Sequence, residues 1–186
     1  MKRILPLVLL ALSNVSFAQS GTSVVTEYEI KAAFLYNFAK FVDWPTSAFQ
    51  TDSTTIIIGI LGDDPFGSIL DEIVADTKVQ NKRLQVKRFK QPGDLTFCHI
   101  LYVSKSETKR LQWIQRKISG ASTLTIGESS DFLERGGMIR LVNKRNKVRF
   151  EINPMAASKA GLRISSRLLK LAENLKNTLA NGRVPQ

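Results

Sequence analysis

The sequence is poor in the residues from which catalytic and metal sites are usually built. It contains one cysteine and one histidine among 186 residues, and these are neighbours, Cys98 and His99. One cysteine excludes an intramolecular disulfide, and a lone Cys beside a lone His falls short of the three or four ligands of a zinc site. No G-x-S-x-G nucleophile elbow supplies a serine that His99 would activate. We therefore expect no catalytic residue, no metal site and no cofactor.

Both residues stand at the start of the apolar run Cys98–Ser104, which indicates a buried strand. Cys98 is accordingly predicted to be a small core residue, although an exposed Cys98 would instead permit an intermolecular disulfide. His99 is predicted to be a buried structural histidine, because neither a catalytic nor a metal-binding set accompanies it.

A membrane-spanning run is missing as well. The N-terminal apolar segment Ile4–Leu12 is far shorter than the roughly 20 residues that cross a bilayer. It follows two basic residues and precedes Ser16 and Ala18, a pattern typical of a cleaved secretory signal peptide. We expect export to the bacterial periplasm, with a eukaryotic secretory route left open. The predicted organisation is a signal peptide over 1–18, a short linker over 19–25, a single domain over 26–182 and a frayed tail over 183–186.

The chain has a net charge of +11, but no long run of lysine and arginine. Outside the cytoplasm, nucleic acid is not the expected partner of such a charge. Anionic lipid headgroups, through peripheral contact with a membrane surface, or an acidic protein surface are the better candidates. The alternative is that scattered cations only keep the protein in solution.

Strand and helix patterns alternate along the domain. The β-branched run Thr54–Gly62 and the run Cys98–Ser104 predict strands buried on both faces, as in a parallel sheet. Lys144–Asn146 is the predicted tip of a late hairpin, and the pattern from Pro154 onward is helical with a break near Gly161. The fold class is therefore predicted as a single α/β domain. Its sheet is mixed and mostly parallel, with helices on both faces and a C-terminal β-hairpin followed by helices.

The turn GILGDDPFG after the first of these strands superficially resembles a phosphate loop. It lacks the G-x-G-x-x-G spacing, and the carboxylates of Asp63 and Asp64 would repel an anion at a helix N-terminus. We predict a turn in which one of the two caps the next helix, and Ser106 is predicted to cap a later one. A magnesium site of the receiver-domain type is excluded, because Ser104 and Lys105 stand where a third carboxylate is required.

The segment EYEIKAAFLYNFAKFVDWP is helical in pattern but apolar on nearly every face. One line of residues is expected to pack on the sheet: Ile30, Phe34, Phe38 and Phe41. The other side then needs a second cover: Leu35, Tyr36, Ala39 and Val42. That cover is the C-terminal helix, a second copy of the chain or a partner protein, and we favour the first. The predicted apolar stripe of that helix is Leu168, Leu171, Ala172, Leu175 and Leu179.

Five stretches in this order resemble the YfiR family of periplasmic regulators. They are the opening helix EYEIKAAFLYNFAKFVDWP, IIIGILGDDPFG, CHILYVSKSE, GGMIRLV before RFEIN, and AGLRISSRLLKLA. The resemblance implies an α/β fold, reported to form dimers, without enzymatic activity. It implies a repressor that binds the periplasmic sensor domain of an inner-membrane diguanylate cyclase and lowers cyclic di-GMP, which governs biofilm and exopolysaccharide production. A homodimer is a further candidate assembly.

Better-known members of that family carry cysteine pairs that form disulfides, whereas this sequence has Cys98 alone. Any redox control would then pass through a Cys98 to Cys98 link or through a separate protein. Mixed apolar and basic character at a helix break suggests the partner-binding residues Phe150, Glu151, Arg163, Ile164, Arg167 and Leu168.

The alternative to a cyclase regulator is a periplasmic small-molecule-sensing α/β binding domain without a cyclase partner. Open α/β sheets bind ligands in the crevice at the carboxyl ends of their strands. In this sequence that crevice is expected near 62–67 and 104–107. An undetected enzyme is the third class, and the sequence offers no catalytic set for it.

Overall fold

The computed structural model describes residues 26–49 and 54–175. The predicted signal peptide, linker and tail lie outside these residues, as does Leu179. The helices and strands of the described residues are, in chain order, α1 (Glu27–Phe41), β1 (Val42–Asp43), β2 (Thr55–Leu61), α2 (Ser68–Val74), β3 (Lys78–Val79), β4 (Lys82–Phe89), β5 (Ile100–Val103), α3 (Leu111–Lys117), β6 (Leu124–Gly127), β7 (Ile139–Lys144), β8 (Lys147–Ile152), α4 (Pro154–Lys159), β9 (Arg163–Ile164) and α5 (Ser166–Leu171).

Seven strands form one sheet in the order β3-β4-β2-β5-β6-β7-β8. The five strands from β4 to β7 in that order run parallel, whereas β3 and β8 are antiparallel edges. Helix α2 lies in the connection from β2 to β4 and α3 in that from β5 to β6, as the alternating pattern predicts. The connection from β6 to β7 consists of turns. The predicted single α/β domain with a mixed, mostly parallel sheet is confirmed. None of the helices in 26–49 and 54–175 is long and apolar enough to cross a membrane.

The central strand β2 is buried on both faces because its side chains alternate between two cores. Ile56, Ile58 and Ile60 join a core with α1 and α2, while Leu61 belongs to a second core that includes residues of α3. Helices therefore lie on both faces of the sheet, as predicted.

Helix α1 begins with a capping box, in which the Thr26 hydroxyl accepts a hydrogen bond from the Glu29 N–H and the Glu29 carboxylate accepts one from the Thr26 N–H. The predicted inward line is confirmed for Phe34 and Phe38, whose rings contact Phe150 of β8. It is wrong for Ile30, which is 38% exposed, whereas Leu35 on the other side is fully buried. The helix is turned so that Lys31 also points inward. Residues of α2, α4 and α5 join the core around α1, so the expected cover within one chain is confirmed.

The late hairpin closes through Arg145 and Asn146, both with positive φ, between the paired residues Lys144 and Lys147. Two such residues in a two-residue loop are typical of the type I′ turn of a hairpin. The segment after Pro154 was predicted to be helical with a break near Gly161, but a short strand lies between its two helices. Arg163–Ile164 forms β9, which pairs antiparallel with β1, because Gly161 turns the chain back with φ +74°.

The predicted helix caps are wrong in detail. Helix α2 begins at Ser68 after Gly67, and the Asp64 carboxylate instead accepts a hydrogen bond from the N–H of Phe66 at 2.7 Å. This contact forms a local turn before the helix. Ser106 lies inside a 3₁₀ helix, Lys105–Arg110, and its hydroxyl accepts from the N–H of Asp63 at 3.1 Å.

Candidate functional site

A group of charged side chains around the buried Lys31 and Glu128 lies at the carboxyl end of the parallel strands. Glu128 directly follows β6 and its side chain is 4% exposed. One of its oxygens accepts from Lys31 Nζ at 2.9 Å and from Lys105 Nζ at 3.0 Å. The other accepts from the Tyr102 hydroxyl at 2.6 Å. Lys31 also contacts Glu27 Oε1 at 2.5 Å, so the cluster joins α1, β5, the 3₁₀ helix and the residue after β6.

The contacts shift the pKa values of Glu128, Tyr102 and Lys105 in this cluster. Burial raises the pKa of Glu128, but hydrogen bonds from Tyr102, Lys31 and Lys105 outweigh it and hold that pKa below its usual value. Burial and the bond to Glu128 raise the pKa of Tyr102, and the bond to Glu128 raises the pKa of Lys105. The carboxylate therefore stays charged and the phenol keeps its proton. The pKa shifts of Glu128, Tyr102 and Lys105 all run away from neutral pH, so these contacts are typical of a structural ion-pair group that holds α1 against the sheet.

A second ion-pair group closes the loop between β2 and α2. Arg88, near the end of β4, donates to Asp64 at 2.6 Å, to Asp71 at 2.5 Å and to the Gly67 carbonyl at 2.7 Å. Hydrogen bonding to Asp64 and Asp71 raises the pKa of Arg88, and the bond from Arg88 lowers the pKa of Asp71. Asp64 is thus held by a cation of the same chain.

The crevice between the ends of β2 and β5 is filled by side chains. Gly62 has φ +88°, and a Cβ on it would lie 2.4 Å from the Ser106 hydroxyl and 2.8 Å from Glu107. At Gly62 the expected ligand crevice near 62–67 and 104–107 is therefore occupied by the protein's own residues, whereas Lys105 lines a neighbouring pocket of about 290 Å³ with Glu128 and Arg140. Among the residues the structure describes, no group of three or more His, Cys, Asp and Glu side chains could hold a metal ion.

His99 and Cys98 are both buried beside β5. The His99 Nδ1 accepts from the N–H of Ile57 at 3.0 Å, and its ring stacks on Phe49 with a centroid distance of 4.6 Å. Burial lowers the pKa of His99 to about 4 and raises the pKa of the Cys98 thiol to about 12. His99 is a structural histidine, as predicted. Cys98 is a core residue, and an intermolecular disulfide through it would require the core to open.

The predicted partner-binding residues separate into two groups. Phe150 is buried, and its ring contacts Phe34 and Phe38 edge-on at 5.4 and 5.3 Å. Glu151 is also buried, with Arg140 Nε at 2.9 Å. Leu168 belongs to the same core as Phe150. These three side chains are buried beneath the surface and are not accessible to a partner.

The other three predicted residues lie on the surface around β9 and α5. Arg163 and Arg167 are exposed and Ile164 is partly exposed. Arg163 Nη2 lies 3.5 Å from Asp43 Oδ2 across the β1–β9 pair. Leu171, predicted on the inner stripe of the C-terminal helix, is instead 52% exposed. The structure therefore forms a mixed basic and apolar patch, the β9–α5 patch, made of Arg163, Ile164, Arg167 and Leu171.

The sequence interpretation missed the Glu128 cluster. Two signals in the sequence point to it: Lys31 sits among apolar residues of α1, and Glu128 follows directly after a buried strand. A charged residue in either position is rarely buried without a partner. The two residues are far apart in the chain, so that only the sheet order brings them together.

Comparisons with known proteins agree with this architecture. A model of the YfiR/HmsC-like family matches residues 28–173, whereas no curated protein matches the chain. A solved structure of a conserved domain protein from Vibrio cholerae O1 biovar El Tor strain N16961 superposes with a TM-score of 0.50 at 13% identity, covering 79% of this chain and 59% of that one. The chain thus spans about three fifths of that protein, and at this identity the likeness shows the fold alone. Because the family model covers most of the chain, the protein belongs to the YfiR/HmsC-like family.

Proposed function

We propose that this protein is a periplasmic negative regulator that binds the periplasmic sensor domain of an inner-membrane diguanylate cyclase. By binding, it lowers cyclic di-GMP and with it biofilm and exopolysaccharide formation. The observation that carries the proposal is the family match over residues 28–173. Export through a signal peptide over 1–18 is part of the same proposal.

The geometry of the sheet supports a binding protein over an enzyme. The carboxyl-terminal crevice, where open α/β sheets bind small ligands, holds Arg88 paired with Asp64 on one side. On the other side it holds Glu128 paired with Lys31. These contacts engage the charged side chains at this end of the sheet with one another, beside a pocket of about 290 Å³ lined by Lys31, Lys105, Glu128 and Arg140. We therefore assign the recognition of a protein partner to the surface.

We assign the cyclase contact to the β9–α5 patch. Arg163 and Arg167 supply exposed positive charge, and Ile164 with Leu171 supplies apolar area. Leu168 anchors the patch in the core beneath it. A mixed surface of this kind combines electrostatic attraction with apolar burial, which favours an acidic partner surface.

Repression would follow from differential affinity alone. If the protein binds the inactive conformation of the sensor domain more tightly than the active one, it shifts the population toward the inactive state. A hundredfold preference would change the ratio of the two states by at most about a hundredfold.

Co-production tests the proposal directly. Each membrane diguanylate cyclase with a periplasmic domain from the source organism is produced with and without this protein, and cyclic di-GMP is measured. We expect one cyclase to be repressed, and a photo-crosslinker at Arg167 to capture it. A crosslinker at Lys147, exposed on the β7–β8 hairpin, serves as the matched control and should capture none. If no cyclase responds, the alternative of a small-molecule sensor without a cyclase partner takes precedence.

A further inference from the structure

The outer face of α3 and the turn before it carry an unusual combination of an exposed tryptophan and several cations. Trp113 is 42% exposed, and helical spacing places cations before and after it. The Trp113 face, as we name it, consists of Lys109, Arg110, Gln112, Trp113, Arg116 and Lys117. With Gln91–Gly93, all of these except Lys117 line a shallow groove of about 520 Å³.

The inner side of α3 holds this face in a fixed orientation. Leu111 and Ile114 are fully buried in the second core of the sheet. The outer residues therefore project from a helix whose inner side is packed against the sheet. Tryptophan, with an apolar ring and a polar N–H, is enriched at protein interfaces and at membrane surfaces.

The cations on this face are largely uncompensated. Arg110 is paired with Glu107 at 3.1 Å. No carboxylate of the described residues lies within ion-pair distance of Lys109, Arg116 or Lys117, whereas other cations of the chain, such as Arg88 and Arg140, have partners. Lys117 Nζ lies 5.5 Å from the centre of the Trp113 ring. The face thus offers positive charge around an amphipathic ring.

We propose that the Trp113 face binds the surface of a bilayer that contains anionic phospholipid. Tryptophan favours the level of the lipid headgroups, where its ring is apolar and its N–H remains hydrated. The three unpaired cations have long, flexible stems that reach phosphates in a plane around the ring. Specific recognition of an acidic peptide favours bidentate arginine forks, whereas two of the three unpaired cations, Lys109 and Lys117, are lysines. This inference does not depend on the proposed cyclase partner.

Tryptophan emission provides a selective readout. The chain has two tryptophans, and Trp44 is buried with its indole N–H bonded to the His99 carbonyl at 3.2 Å. A blue shift on binding therefore reports Trp113. Protein purified from the periplasm after export is mixed with vesicles of phosphatidylcholine, with and without phosphatidylglycerol, and binding is quantified by co-sedimentation.

We expect a blue shift and co-sedimentation with the phosphatidylglycerol vesicles only. The double substitution K109Q/K117Q should weaken partitioning by roughly tenfold or more, since each cation near an anionic surface contributes to attraction. The matched control R145Q/K147Q removes two exposed cations from the hairpin and should leave the shift intact. The proposal is overturned if no vesicle shifts the emission, if neutral vesicles bind equally or if the control weakens binding as much. Capture of a soluble glutamate-rich peptide in place of vesicles would also overturn it, and would assign the face to an acidic protein segment.

Discussion

Lys31 and Glu128 meet at 2.9 Å with side chains that are 2% and 4% exposed. The pair joins α1 to the carboxyl end of the parallel strands. A buried charge that loses its partner is costly, whereas the pair itself contributes less than its Coulomb attraction indicates. Tyr102 and Lys105 also donate hydrogen bonds to the Glu128 carboxylate. They therefore reduce the energetic cost of removing Lys31.

We predict that Lys31→Met lowers the free energy of unfolding by about 2 to 4 kcal/mol, because Glu128 then keeps only part of its compensation. The matched control is Lys105→Met, which removes a cation from the same oxygen. Since the Lys105 side chain is 66% exposed, its loss should cost less than about 1 kcal/mol. Urea unfolding of both variants measures the difference. Equal losses would show that burial of Lys31 does not determine the cost.

Stability should fall as the pH drops from 6.5 toward 4 because of His99. Burial lowers its pKa to about 4 in the folded protein, whereas the unfolded chain titrates at the ordinary histidine pKa of about 6.5. As the pH falls, the unfolded chain therefore takes up a proton before the folded protein does, which stabilises the unfolded state. Between pH 7 and pH 5 the predicted loss is about 2 kcal/mol. His99 is the only histidine in the chain. The substitution His99→Gln should therefore flatten the pH dependence in this window, even if it lowers stability at pH 7. A slope unchanged in His99→Gln would assign the effect to other groups.

More of the architecture than of the site could be predicted from the sequence. Runs such as Thr54–Gly62 and the turn at Arg145 and Asn146 carry local signals of strand and hairpin, and the structure has both. The full inward face of α1 could not be predicted, because so many of its residues are apolar that periodicity does not select one face. The inward position of Lys31 depends on a partner distant in sequence, Glu128.

The same distinction explains the C-terminal region. The pairing of β9 with β1 involves two residues on each strand, too few to produce a periodic pattern. Phe150 and Glu151 were predicted on a partner surface because their chemistry is mixed, but the edge strand β8 turns them toward α1 and Arg140. Surface assignment requires the tertiary structure at such positions.

Cys98 is predicted to be inert in the folded protein. Its thiol is buried and has a raised pKa of about 12, so it forms little thiolate at neutral pH. A thiol reagent should label it fully in denaturant and only slowly under native conditions, at a rate that follows local opening. Rapid native labelling, or a disulfide-linked dimer formed without denaturant, would contradict this account.

Gly59 is predicted to be intolerant of a side chain because of the same cysteine. A Cβ at Gly59 would lie 2.9 Å from both Cys98 Sγ and Phe89 Cε2. Gly59→Ala should therefore cost about 1 to 3 kcal/mol by overpacking. Adding Cys98→Ala removes one of the two clashes and should recover part of the loss, as a double-mutant cycle would show. Additive effects of the two substitutions would mean that the strain does not pass through Cys98.

The β9–α5 patch is predicted to set the rate of association with the cyclase sensor domain. The substitution R163Q/R167Q should lower the association rate roughly tenfold at low salt and reduce its salt dependence, while the dissociation rate changes less. R145Q/K147Q on the hairpin removes the same charge elsewhere and serves as the control. Stopped-flow or surface-binding kinetics at several salt concentrations provide the measurement. An association rate that is indifferent to ionic strength would exclude the electrostatic part of the proposal.

Cellular cyclic di-GMP tests the central claim most directly. The gene is deleted in the source organism and restored in two forms, with and without residues 1–18. The account predicts that cyclic di-GMP rises on deletion and that only the form with the signal peptide restores the low level. A level that does not change on deletion under several growth conditions, or that both forms restore equally, would contradict a periplasmic repressor.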